Sequence, residues 1–264
     1  MREVHFSELQ AAWRCEQKWN GLYREQLVSV QPLSLALRWG TAFHRLAAAD
    51  ELQQDEVQLA DLQLEEADTS LLFAVFKAWR TWWPVWKAEN KVKVLAVEHQ
   101  LRVSPGGFWD VDIVGTADYI VEADGLRWLL DIKTTDSPQQ NHFPLDMQGL
   151  TYAWLDRQLG NHPLGMIYVQ VRKTDPARAR VPLFIPTWQP FGPTATAQFE
   201  PQLLDCLQWV LDNYDKPAAR YTRRFNPLSW MSCVCPLEGL CQAWLQGREA
   251  EAKQIMYKNK EQQL

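Results

Sequence analysis

The feature that most restricts the fold is a block of three strand-type segments in the middle of the chain. Val92 to Val103, Val111 to Val121 and Trp128 to Ile132 are rich in β-branched and aromatic residues, and turn signals at Pro105-Gly106-Gly107 and Ala123-Asp124-Gly125 separate them. Such a block predicts an antiparallel meander. Helical spacing surrounds it. Ser7 to Tyr23 and Ser34 to Asp50 read as helices, the second with Leu35, Trp39, Ala42, Phe43 and Leu46 on one face, and Asp68 can cap a helix running to about Asn90. Residues 51–67 are acidic and poorly patterned. After the meander, Pro144 to Leu159 is helical, Leu164 to Arg172 and Arg180 to Ile185 read as strands, and Thr194 to Tyr214 reads as an amphipathic helix. The tail from Arg220 carries three cysteines and ends in a charged helix. The sum is an α/β core with helices before and after it, expected as one domain over 1–264 with a helical region at 24–90.

With 264 residues, 47% hydrophobic and 22% charged, the chain can bury its own core without staples. Its 14 Trp are expected mainly in that core, and any exposed ones could stack on bases. A net charge of −5 argues against broad electrostatic coating of nucleic acid, which draws its affinity from Lys and Arg. Local basic patches remain available, one at Arg172, Lys173, Arg178 and Arg180 and another at Arg220, Arg223 and Arg224; each reads equally well as a solvated face. The first residues lack the apolar core of a secretory signal and no stretch is long and apolar enough to span a bilayer, so a cytoplasmic protein is expected. No phosphate-binding loop is present, so any ATP-driven motor would be a separate partner.

The chemistry gathers around Asp131-Ile132-Lys133 at the end of the third strand. Alternation along a strand puts Asp131 and Lys133 on one face. An Asp-x-Lys tripeptide by itself is weak, since about one is expected by chance at this length. Asp118, in Gly115-Thr116-Ala117-Asp118, raises its value, because a hairpin through Asp124-Gly125 would set it beside Asp131. Two facing carboxylates are unfavourable unless a cation lies between them, and Mg²⁺ favours carboxylate oxygens completed by water and phosphate. Gly40-Thr41-Ala42-Phe43-His44 adds an imidazole from an upstream helix. Gln148-Gly149-Leu150-Thr151-Tyr152 adds an amide and a phenol on one helical face. Each alone has an ordinary reading, a core or surface histidine and a polar helix edge.

In order, Gly-x-x-x-His, Gly-x-x-Asp, Asp-x-Lys followed by Thr134, and Gln-x-x-x-Tyr resemble the motifs of the RecB-like nucleases, a branch of the PD-(D/E)XK superfamily. The resemblance implies a restriction-endonuclease-like core, a mixed central sheet flanked by helices. It implies His44, Asp118, Asp131 and the main-chain carbonyl of Ile132 as ligands of Mg²⁺ or Mn²⁺, and Lys133 as the residue that orients or activates the attacking water. Gln148 and Tyr152 would shape the site and hold DNA. The implied activity is an exonuclease of recombination, repair or CRISPR adaptation, bacterial or phage in setting, acting on single-stranded or end-containing duplex DNA beside a separate helicase or recombination partner. Glu98, in Val97-Glu98-His99, sits where such enzymes sometimes offer another carboxylate, although a solvated strand residue is the preferred reading.

Cys15 lies near the N-terminus and Cys233, Cys235 and Cys241 near the C-terminus; Cys206 reads as a buried core thiol. In a reducing compartment a cysteine cluster points to metal rather than disulfides, and thiolates select zinc or iron–sulfur. The pattern resembles the iron–sulfur members of the same nuclease group, AddB-type and CRISPR-adaptation nucleases, in which one cysteine precedes the core and three follow. That resemblance implies a 4Fe-4S cluster closed by Cys15 with the 220–264 segment. Only Val234 separates Cys233 from Cys235, where relatives carry two residues. The alternatives are a DNA-binding assembly module that has lost its chemistry and a zinc-stapled structural protein.

Overall fold

The computed structural model describes residues 2–106, 110–138, 143, 146–215 and 235–260. They divide into two compact units, the first of Met1–Glu3 and Ser34–Glu200 and the second of Val4–Leu33 and Pro201–Leu264.

The first unit is built on a mixed sheet. Its strands are β1 (Arg2–His5), β3 (Val92–Val103), β4 (Val111–Ala123), β5 (Leu126–Thr135), β6 (Gly165–Arg172) and β7 (Phe184–Pro190); a short β2 (Leu27–Ser29) lies elsewhere. The order is β1-β4-β5-β6-β7, with β3 paired to β4. The predicted meander is there, since β3 pairs antiparallel with β4 and β4 with β5. β5 and β6 are parallel, joined by a helix as parallel neighbours must be. β6 is buried along nearly all its length, as a central strand covered on both faces should be.

The helices α3 (Leu35–Glu51), α4 (Glu66–Glu89) and α5 (Met147–Gln158) and the start of α6 (Pro193–Asn213) belong to the same unit, α1 and α2 to the second. Leu72, Val75, Trp79, Trp83 and Trp86 recur every three or four residues along α4 and form its buried face. Trp79 and Trp83 stack at 4.9 Å and Trp83 and Trp86 at 5.3 Å, in a core shared with Trp39, Phe43, Leu130, Ile132 and Val169. The expectation that tryptophan serves packing is met by Trp19, Trp39, Trp79, Trp83, Trp86, Trp128 and Trp154, all buried. Pro84 interrupts α4 on its exposed side, where water can satisfy the carbonyl it leaves unbonded.

Several boundaries differ from the sequence reading. β5 continues to Thr135, three residues past Ile132, because its far half keeps pairing with β6 after it has left β4. β7 begins at Phe184 rather than Arg180, since pairing with β6 starts at Val171↔Phe184. α4 starts before Asp68, which lies inside its first turn rather than capping it. α5 starts at Met147, capped by Asp146, whose side chain accepts the Gln148 N–H.

The second unit holds α1 (Phe6–Arg14), α2 (Glu16–Trp19), a π-turn at Asn20–Arg24, β2, the latter part of α6 (Pro193–Asn213), α7 (Glu238–Leu245), α8 (Glu249–Met256) and β8 (Tyr257–Asn259), which pairs with β2. Ser7 to Tyr23 is thus not one helix. Cys15 interrupts it with extended backbone, φ −167° and ψ 115°. Trp19 donates its indole N–H to the buried Glu8 carboxylate at 3.0 Å and meets Trp209 edge-on at 5.2 Å. Cys206 is buried as expected, its Sγ donating to the Leu9 carbonyl at 3.6 Å, and burial pushes its thiol up to about 12. No helix among the described residues is long and apolar enough to cross a membrane.

Candidate active site

The site forms where the sheet opens. β4 and β5 pair from Ala123↔Leu126 to Tyr119↔Leu130 and no further. Asp118 and Asp131 are the next residues on each strand, so the two carboxylates sit at the fork. Asp118 Oδ2 accepts the main-chain N–H of Ile132 at 2.7 Å, taking the place of the next ladder bond, and its Oδ1 lies 3.2 Å from His44 Nδ1.

Asp131 is buried. Its Oδ1 accepts the Gln148 side-chain N–H at 3.0 Å, and Oδ2 lies 2.8 Å from Lys133 Nζ without hydrogen-bond geometry. Lys133 also donates to Gln148 Oε1 at 2.6 Å, and Gln148 Nε2 reaches Tyr152 Oη at 3.3 Å. One amide thus bridges the Asp and the Lys of the Asp-x-Lys tripeptide. His44 meets Asp118, and Asp131, Lys133, Gln148 and Tyr152 meet one another. For Ile132, it is the N–H whose partner is seen.

The motif glycines are seats for the elements that carry the polar groups. A Cβ on Gly40 would lie 2.8 Å from Thr134 Oγ1, so a side chain there would push α3, and His44 one turn on, away from β5. A Cβ on Gly115 would fall 2.5 Å from the Tyr152 ring.

Glu98, whose preferred reading from sequence is a solvated strand residue, lies beside the site. Val97 pairs with Tyr119 and His99 with Ala117, which puts Glu98 across from Asp118. Glu98 is exposed, yet ligand atoms of His44, Glu98 and Asp118 all lie within 4.8 Å of one another. Its backbone is left-handed, φ 47°, and β3 slips register between Val94 and Ala96 just before it. A bulged edge strand that re-aims one side chain is a recurring device beside active sites, and the left-handed conformation costs about 1 kcal/mol or more. The resemblance to RecB-like nucleases raises a carboxylate at this spot as the second reading; the alternation of β3 cannot favour it, because the bulge that aims it is not written there.

The charges reflect crowding. Burial disfavours the His44 imidazolium, but Asp118 beside it, with Asp131 further off, outweighs that and raises its pKa to about 9. Burial and Asp118 push the Asp131 carboxyl up against the pull of Lys133. Burial and Asp118 likewise raise Glu98. Lys133 is held above its ordinary value: burial works against its charge and Asp131 more than compensates. These residues fit a divalent cation. Glu98 and Asp118, like charges facing each other across a strand pair, and His44 bring ligand atoms within 4.8 Å of one another; Asp131, its Oδ2 beside Lys133 Nζ, lies outside that group.

Cys15, Cys206, Cys235 and Cys241 belong to the second unit. Cys233 is outside the described residues, as are Arg220, Arg223 and Arg224. Cys235 packs with Leu22 against Leu237, Leu240 and Tyr257, within the unit that also holds Cys15. Among the described residues Cys15, Cys235 and Cys241 are not all within 4.8 Å of one another. Of the first basic patch, Lys173 pairs with Asp136 at 3.1 Å and Arg178 with Asp175 at 3.6 Å.

A mixed sheet carrying paired carboxylates and a lysine at the fork of two strands is the arrangement of a nuclease core. The profile of the PD-(D/E)XK nuclease superfamily matches residues 4–242, nearly the whole chain, and the chain belongs to that superfamily. Among solved structures, one titled "Crystal structure of SSO0001" is 14% identical, with a TM-score of 0.38 over 82% of this chain and 79% of that one. No curated protein matches.

Proposed function

We propose that this protein is a deoxyribonuclease dependent on Mg²⁺ or Mn²⁺, an exonuclease that hydrolyses phosphodiester bonds at DNA ends in recombination, repair or CRISPR adaptation. The observation that carries the reading is the Gln148 amide spanning Asp131 and Lys133 beside the His44, Glu98 and Asp118 cluster. The exonuclease mode and the pathway follow from the likeness of the ordered motifs to RecB-like nucleases.

His44, Asp118, Asp131 and the Ile132 carbonyl would hold the metal, with Glu98 as a further carboxylate. The cation, when bound, lowers the pKa of water and neutralises charge building on the scissile phosphate. Lys133, protonated beside Asp131, would orient that water by donating a hydrogen bond to its oxygen. Asp131 keeps Lys133 in place, Gln148 sets the angle between them, and Tyr152 closes the wall of the site. DNA would be supplied by a separate helicase or recombination partner in the cytoplasm of a bacterium or phage-infected host.

A 4Fe-4S cluster on Cys15, Cys233, Cys235 and Cys241 belongs to the same proposal. Cys15 is drawn out of its helix, and Cys235 and Cys241 flank Leu237 in the same unit. The three described thiols are not within 4.8 Å of one another as a set, and the cluster would take Cys233 as its fourth ligand. Its work would be structural, tying the two ends of the chain.

The test is degradation of end-labelled single- and double-stranded DNA with Mg²⁺ or Mn²⁺ by anaerobically purified protein, beside Asp131→Ala and Lys133→Ala. Cleavage lost in both variants supports the reading. No cleavage by the intact protein turns it to a DNA-binding assembly module.

A further inference from the structure

We infer that Tyr168 and Asp146 are positioning residues of the reaction, acting through Gln148; the inference rests on the nuclease reading. Tyr168 is fully buried on β6, directly beside Asp131 in the parallel register. Its hydroxyl donates to Asp146 Oδ2 at 2.7 Å, and its ring stacks on Phe143 at 4.1 Å with the planes 7° apart. Asp146 Oδ1 in turn accepts the main-chain N–H of Gln148 at 3.3 Å. The first turn of α5 is therefore bolted to the strand next to the one that carries Asp131 and Lys133.

The bolt matters because of what Gln148 does one turn of side chain away. Its amide must meet Asp131 at 3.0 Å with the nitrogen and Lys133 at 2.6 Å with the oxygen. A planar amide that serves two partners at once tolerates little movement of the backbone behind it, since hydrogen bonds weaken steeply with angle. Capping alone would hold the helix end but leave it free to slide along the sheet. Tyr168 removes that freedom. Gly149 is part of the same device: a Cβ there would lie 2.3 Å from the Tyr168 hydroxyl, so the helix can seat on Tyr168 only with glycine at this place. Neither Asp146 nor Tyr168 belongs to the three-residue cluster that could take a metal. Their effect passes through Gln148.

The experiment is a double-mutant cycle of Tyr168→Phe and Gln148→Ala, read by DNA cleavage and by Mn²⁺ affinity from electron paramagnetic resonance. Expected for Tyr168→Phe are a fall in kcat of about ten-fold, KM for DNA changed by less than about two-fold, and Mn²⁺ binding weakened about three-fold. In a Gln148→Ala background the Tyr168→Phe change should add almost nothing to either readout. Full additivity of the two changes, or Tyr168→Phe indistinguishable from the intact protein, overturns the inference. If the intact protein cleaves no DNA the nuclease reading falls, and the Mn²⁺ arm still decides: affinities unchanged by Tyr168→Phe overturn the coupling, and a non-additive loss supports it.

Discussion

Asp118 accepts the main-chain N–H of Ile132 at 2.7 Å, at the first position where their two strands no longer pair. A side chain thus does the work of a ladder bond at the fork. Replacing Asp118 with Asn keeps that hydrogen bond and removes the charge. Asp118→Asn is expected to fold, with a thermal midpoint lowered at neutral pH by loss of the His44 ion pair and little changed above pH 9, while cleavage falls on the order of 10³-fold. Loss of folding instead would show that the charge, rather than the bond, keeps the strands apart.

Asp131 and Lys133 should be separable from stability in the same way. Lys133→Ala leaves the buried Asp131 without its counter-charge, so its carboxyl becomes harder to ionise and the unfolding free energy falls by roughly 1–3 kcal/mol. Lys133→Gln keeps a donor and should be milder in stability and equally inactive. Chemical denaturation beside the cleavage assay distinguishes the two effects.

The His44 imidazole carries a pH signature. Its pKa rises from 6.5 to about 9 in the folded, metal-free protein. A raised folded value means that the protonated ring stabilises the fold below pH 6.5 and that this contribution is lost as pH climbs through 9. The metal-free protein should therefore lose up to about 3 kcal/mol between those limits, and His44→Gln should flatten the profile. Because a coordinating imidazole must be neutral, Mn²⁺ binding should also tighten as pH rises. A Mn²⁺ affinity independent of pH would remove His44 from the ligand set.

Glu98 trades stability for binding. With its left-handed backbone and a carboxylate opposite Asp118, Glu98→Gly should raise the metal-free unfolding free energy by about 1 kcal/mol and weaken Mn²⁺ binding about ten-fold. Differential scanning calorimetry with and without Mn²⁺ reads both. A variant that is destabilised without metal would show that the conformation is imposed by neighbours rather than by the site.

The cysteines make a visible prediction. Protein purified without air should be brown and contain iron and acid-labile sulfide. Cys15→Ser should remove the colour, and Cys206→Ser should not, since that thiol is buried against the Leu9 carbonyl. A colourless protein with bound zinc would refute the cluster.

The meander, the flanking helices and the side chains of the four ordered motifs were legible because each rests on a periodic or spaced pattern. Asp131 and Lys133 share a face by alternation, and Gln148 and Tyr152 by helical spacing. What escaped had no such pattern. The break at Cys15 lies inside a run of helix-compatible residues, and only the backbone shows it. Glu98 owes its place to a bulge, and Tyr168 is one more aromatic in an apolar strand until its hydroxyl is seen on Asp146. The β2 and β8 ribbon joins segments more than two hundred residues apart, beyond any local signal.

β3 has twelve residues and, among the described residues, pairs only with β4, so its other side offers main-chain donors and acceptors to any extended chain that comes by. A flat strand of that length invites another copy to add itself to the sheet. The slip after Val94 and the kink at Glu98 spoil that template along its middle, where charge also repels an incoming strand. The geometry that aims a carboxylate at the site therefore also blunts the free edge of β3, and a variant straightened at residue 98 should be sturdier alone and quicker to aggregate in company.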